Sequence, residues 1–230
     1  MRSVPSTADE ALALLRGWRP VSSWAGTSIR AAVPRRAHAL VVGPEHERSA
    51  LGSVGRSVTG ADPEVATTAL EEGRGDTDVV VLADALSWVP DERVLLRQIG
   101  ERLSGEMSLV AAVPNAAWLP ARVALLHGRS PFGTGPVVSR PLRFFTRTTL
   151  EAAFGELGVV AEITTVDRDV GEALRAAARG DASDDRAVVD LAARAPDAAT
   201  VGFVVRWPAP ATRSVVHRMA GWARRQRAGS

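Results

Sequence analysis

Asp78-Val79-Val80-Val81-Leu82-Ala83-Asp84-Ala85-Leu86-Ser87-Trp88-Val89-Pro90-Asp91 runs four consecutive apolar residues into a polar turn and then a helical pattern. A parallel strand buried on both faces reads this way when its carboxyl end opens onto a site. Downstream, Asp91–Leu103 places Leu95, Leu96, Ile99 and Leu103 on one helical face, with Arg and Glu opposite. Further strands are expected at His38–Gly43, Arg56–Ala61, Met107–Val113, Val160–Val166 and Thr200–Trp207. Strands alternating with helices over this length predict a single α/β domain with a doubly wound, Rossmann-like sheet.

Around that frame, Ser6 to Asp9 has capping-box spacing ahead of an apolar helical face of Ala11, Leu12, Leu14, Leu15 and Trp18. Arg19–Arg36, with prolines at 20 and 34, reads as a connector, so the domain is expected over 37–208 with residues 1–36 as an N-terminal helix and connector. Thr148-Thr149-Leu150-Glu151 reads as a second capping box, opening a helix that packs Leu150, Phe154 and Leu157. Gly128–Arg140 has the glycines and prolines of a loop over the acceptor side, and Gly180–Asp185 reads as a polar surface loop. Residues 209–230 form a separate basic tail. In it Val215, Val216, Met219, Trp222 and Ala223 share a helical face and Arg213, His217, Arg218, Arg224, Arg225 and Arg227 supply charge. A final amphipathic helix packed on its own domain is expected there, with membrane-surface or partner-helix contact as the alternatives.

Composition narrows the chemistry. The chain of 230 residues is 46% hydrophobic and 23% charged, ordinary for one globular core. It has no cysteine, lysine or tyrosine, which excludes disulfides, thiolate nucleophiles, lysine Schiff bases and tyrosine acids. All 28 basic residues are arginine, so the pI of 10.6 reflects a net charge of +2 that nothing titrates away, and nucleic-acid binding is not implied. The four histidines at 38, 46, 127 and 217 lack metal-ligand spacing, so no metal site is expected. His127 ends an apolar helix, where positive charge is stabilised. The start carries no apolar secretory core, and a cytoplasmic protein is the expectation.

Several segments in order resemble class I S-adenosylmethionine-dependent methyltransferases. His38–Gly43 fits the first strand, Thr59-Gly60-Ala61-Asp62 the acidic end of the second, and Asp78–Asp91 the central strand and turn. Leu109–Asn115 matches the next strand with its Pro-Asn end, and Phe203-Val204-Val205-Arg206 the closing one. Leu142-Arg143-Phe144-Phe145-Thr146 is similar to a signature of methyltransferases that modify sugars and glycans. The resemblance spans residues 38–207. It implies S-adenosylmethionine as cofactor, lying across the carboxyl ends of the first strands, and a small-molecule or glycan acceptor. The protein's part would then be to position the acceptor in line, a contribution of roughly 7–11 kcal/mol.

On that resemblance Gly43, Asp62, Asp84 and Leu86 are the cofactor-binding candidates and Asn115, Arg143 and His46 the catalytic ones. Each has a plainer reading. Asp62 is a ribose ligand or a turn residue before Pro63; Asp84 faces the cofactor or caps its loop; His46 is a base or a surface histidine between Glu45 and Glu47. Arg143 binds an anionic acceptor group in bidentate fashion or fixes a loop by a salt bridge. Phe144 and Phe145 are expected in the core.

The chain also departs from the family pattern. Pro44-Glu45-His46-Glu47-Arg48-Ser49 stands where more glycine is wanted, and Gly52 and Gly55 come too late. Only 16 positions separate Asp62 from Asp78, short for a helix, a strand and a further turn, so a whole crossover is expected to be missing. Ser87-Trp88 replaces the usual Glu-His, and Pro141 a histidine. These departures support a second class of function, a non-methylating member of the fold that serves as partner, scaffold or repurposed biosynthetic enzyme. A nicotinamide-dependent dehydrogenase is excluded, because Pro44–Ser49 is no Gly-x-Gly-x-x-Gly loop.

Overall fold

The computed structural model describes residues 7–15, 21–55, 57–72, 77–103, 107–129, 141–158, 160–168, 170, 174, 183–194 and 196–207. The tail, most of the 128–140 segment, Ser6 and Trp18 lie outside the described residues. The elements run α1 (Thr7–Leu15), α2 (Ser22–Ala32), β1 (His38–Val42), α3 (Glu45–Ala50) and β2 (Ser57–Ala61). A 3-10 turn at Pro63–Val65 leads to α4 (Ala66–Glu72), β3 (Val79–Ala83), α5 (Ala85–Trp88) and α6 (Glu92–Leu103). Then come β4 (Ser108–Pro114), α7 (Leu119–Leu126), α8 (Arg147–Gly155), β5 (Glu162–Asp167), α9 (Ser183–Ala193) and β6 (Thr200–Trp207).

The strands form one 6-stranded sheet in the order β2-β1-β3-β4-β6-β5. β2, β1, β3 and β4 are parallel, and β6 runs antiparallel to β4 and β5. Every residue of β3 and β4 is buried, which is why both read as unbroken apolar runs. Helices cover both faces. On one, Leu40, Val80 and Leu82 pack with Leu70, Leu96, Ile99 and Phe154. On the other, Val41, Val79 and Val81 pack with Ala25, Ile29 and Leu51. A third cluster joins α1, α7 and α9 through Leu15, Trp118, Val123 and Val189.

Set against the doubly wound order 3-2-1-4-5-6, the outermost strand of one half has no counterpart among the described residues. Between Asp62 and Asp78 the described residues hold only the 3-10 turn and α4 before β3 begins. The trimmed crossover expected from the interval is therefore what the fold contains, and β2 becomes an edge.

Three local expectations change. The connector Arg19–Arg36 holds α2, a helix that buries Ala25, Gly26 and Ile29 against the sheet. The second capping box is built on Thr146, whose side chain accepts from Thr149 N–H while Thr149 returns a bond to Thr146 N–H; Glu151 instead pairs with Arg147. Ser183–Asp185, expected in a polar surface loop, instead begin α9, whose Val189 and Ala192 are buried. No described helix is long and apolar enough to cross a membrane.

Candidate functional site

The strand order reverses between β1 and β3, so the switch point lies where Gly43 and Asp84 leave these strands. Gly43 is required there by the sheet itself. A Cβ on it would sit 2.5 Å from the Ala83 carbonyl oxygen and 3.2 Å from the Ala83 side chain. Immediately beyond, Pro44 opens α3: its carbonyl accepts from Glu47 N–H at 2.9 Å and from Arg48 N–H at 3.2 Å. The segment that replaces a glycine loop is thus a helical turn with side chains on it.

Those side chains are engaged. Glu47 is buried, and its carboxylate accepts from the backbone N–H groups of Val21 and, at 3.0 Å, Ser22. It thereby caps α2 from a site 25 residues away in sequence, satisfying donors that a helix leaves open at its amino end. His46 stays at the surface, 3.6 Å from the Glu47 carboxylate. Arg48 passes over Gly60, whose absent side chain leaves room for the Arg48 Cδ at 3.2 Å from an ideal Cβ position. Its guanidinium donates to Asp62 Oδ1 at 2.8 Å. The carboxylate expected to hold a ribose diol is therefore ion-paired within the chain.

Asp84 sits at φ 57°, the left-handed region that aspartate tolerates better than most residues. Its backbone links Ala112 and Ser87, and its buried Oδ2 accepts from the Trp88 indole N–H at 3.0 Å. Trp88 thus engages Asp84 from within the same short helix-forming turn. Leu86, a cofactor-binding candidate, is fully buried in the core cluster of α5 and α6 and presents no side chain to a ligand. Its apolarity answers to packing.

Asn115 and Arg143 are likewise structural in their contacts. Asn115 is fully buried; its Nδ2 donates to the carbonyls of Asp197 at 3.0 Å and Thr200 at 2.8 Å, and its Oδ1 accepts from Ala117 N–H at 2.9 Å. It fastens the exit of β4 to the entry of β6 rather than lining an acceptor pocket. Arg143 donates from Nη1 to the Val89 carbonyl and from Nη2 to the Pro90 carbonyl, each at 2.7 Å, while Nε meets the Glu92 carboxylate at 2.5 Å. Of its two readings the loop-fixing one describes these contacts. Ser87 completes the clamp, its carbonyl accepting from Leu142 N–H at 2.7 Å and Arg143 N–H at 3.2 Å. Arg143→Lys is expected to lower stability by about 1 kcal/mol, since an ammonium cannot reproduce the guanidinium fork; a urea melt measures it. Phe145 is core, but Phe144 is 43% exposed and, with Leu142, Glu92 and Arg143, lines a groove of about 400 Å³.

Sequence reasoning passed over Glu47 and Arg48, the two residues with the most consequence here. Glu47 is the buried acid beside exposed Glu45 and His46 and half-buried Arg48, and only its position on α3 reveals it.

No protein-family model matches the sequence, and no curated protein does. Among solved structures, the chain is similar to an S-adenosylmethionine-dependent methyltransferase from Archaeoglobus fulgidus. The two are 14% identical, with 84% of this chain and 95% of that one covered at a TM-score of 0.52. It is also similar to an S-adenosylmethionine-dependent methyltransferase from Mesorhizobium loti, 16% identical over 84% of this chain and 98% of that one, at a TM-score of 0.45. The order of the strands, the switch point between β1 and β3 and the first of these likenesses agree: the chain has the fold of the class I S-adenosylmethionine-dependent methyltransferases.

Proposed function

We propose that this chain is a methyltransferase-fold protein that does not transfer methyl groups, and that it acts through a protein partner or through a repurposed small-molecule site. One observation carries the reading. The acidic groups around the switch point have partners within the chain: Glu47 caps α2, Asp62 pairs with Arg48 and Asp84 accepts from Trp88. S-adenosylmethionine needs a carboxylate for its ribose diol and a bare backbone loop for its amino-acid part. The residues present do not fit that group, because the loop is α3 and the carboxylates have internal partners. The missing strand also removes the wall beside β2.

A thermal-shift titration with S-adenosylmethionine and its demethylated product tests this. Ligand at 100 times its dissociation constant adds about 2.7 kcal/mol, and the expected result is no shift at millimolar cofactor. A clear rise in melting temperature overturns the proposal.

Asp84 favours the second reading, an active methyltransferase on a small molecule or glycan. A left-handed, non-glycine residue at a strand's carboxyl end is the kind of strain that persists at working sites. On that reading Asp62 exchanges Arg48 for the ribose, and Asp62→Ala weakens cofactor binding.

A further inference from the structure

We propose that the chain forms a two-fold dimer by pairing β2 with β2 of a second copy, joining the two sheets into one. The fold prepares this by omission. In the doubly wound order another strand lies beyond this position, whereas β2 is an edge here and no strand among the described residues covers it. Ser57–Ala61 contains no charged residue and no proline, the usual means of blunting an edge. Thr59 and Gly60 are exposed, and an open trough of about 650 Å³ runs alongside between β2 and α4, lined by Thr59, Ala61, Asp62, Val65 and Thr68.

The main chain sets the register. The Ala61 carbonyl accepts from Gly43 N–H at 3.1 Å, so Ala61 directs its backbone groups toward the β1 side. Backbone direction alternates along a strand, and Thr59 and Ser57 therefore also face β1 while Val58 and Gly60 face outward. Antiparallel pairing centred on Thr59 sets Val58 of each copy against Gly60 of the other, and these outward groups exchange both main-chain bonds. Thr59 then faces its own symmetry mate as a non-hydrogen-bonded pair, a favourable Thr–Thr contact.

Charge favours the same arrangement. Asp62 follows the strand directly and its side chain is 56% exposed. Two-fold antiparallel pairing keeps the two Asp62 carboxylates at opposite ends of the paired strands, whereas an in-register parallel pairing would set them side by side as like charges.

Sedimentation of the full chain at high micromolar concentration is expected to show a dimer. Thr59→Cys introduces the only thiol into a cysteine-free chain. The pairing brings the two Thr59 Cα atoms to about 4.5 Å, inside the disulfide range of about 4.4–6.8 Å. On mild oxidation this variant should cross-link nearly completely, and Val160→Cys, at a residue 85% exposed, should lag far behind. A monomer at high concentration overturns the proposal. So does a dimer in which Thr59→Cys cross-links no faster than Val160→Cys.

Discussion

Glu47→Ala is expected to lower the unfolding free energy by about 3–4 kcal/mol, because a buried carboxylate that accepts two backbone bonds contributes about 1.5–3 kcal/mol through each. The removal strands the N–H groups of Val21 and Ser22 at the start of α2 and leaves a void beneath it. The cost of burying the acid, recovered on its removal, keeps the loss below the sum of the two bonds. Glu47→Gln should lose less, since the amide oxygen still accepts one bond while its NH₂ faces the other donor. Urea unfolding followed by tryptophan fluorescence measures both, with Trp24 on α2 as a reporter. A loss under about 1 kcal/mol for Glu47→Ala would mean that α2 does not depend on this cap.

The second large effect falls on Asn115, the only asparagine in the chain. Asn115→Ala leaves the Asp197 and Thr200 carbonyls and the Ala117 N–H without their partner in a fully buried place. The expected loss is about 2–4 kcal/mol. Asn115→Asp keeps the shape but turns the donor into an acceptor, so an ionised carboxylate would face two carbonyl oxygens. Burial and that repulsion favour the protonated acid in the folded state and raise its pKa above the unfolded value of about 3.9. The folded variant then holds the proton more tightly than the unfolded chain. Its deficit is therefore smallest below about pH 4 and grows as pH rises through the raised value. Urea midpoints for wild type and variant across that interval test the sign; a deficit that shrank toward neutrality would show that Asn115 is not the donor to these carbonyls.

Much of the fold was legible because its strands are buried on both faces or alternate cleanly. Val79–Ala83 and Leu109–Val113 admit no other reading at this length, and the six expected strands coincide with the observed ones to within two residues at either end. The helix α2 was not legible in the same way. Ser22, Ser23, Gly26, Thr27 and Ser28 are poor helix formers, and prolines bracket the segment. Its signal was the four-residue spacing of Val21, Ala25, Ile29 and Val33, all buried. What stabilises its first turn is Glu47, a partner that no local window contains.

The candidate site divides along the same line. Residue types and order announced a switch point, an acid at each strand end and a glycine after β1, and the interval from Asp62 to Asp78 announced the lost strand. Those are properties of chain length and hydrophobic period, which local sequence determines. Whether an acid faces a ligand or a neighbour is settled by which side chain from another element reaches it. Arg48, Trp88 and the amino end of α2 reach Asp62, Asp84 and Glu47 only once the sheet has brought β1, β2 and β3 side by side. The sequence alone therefore determined the architecture and the place of the site. Tertiary structure alone decided that these acids have partners within the chain, because pairing is a matter of distance in space.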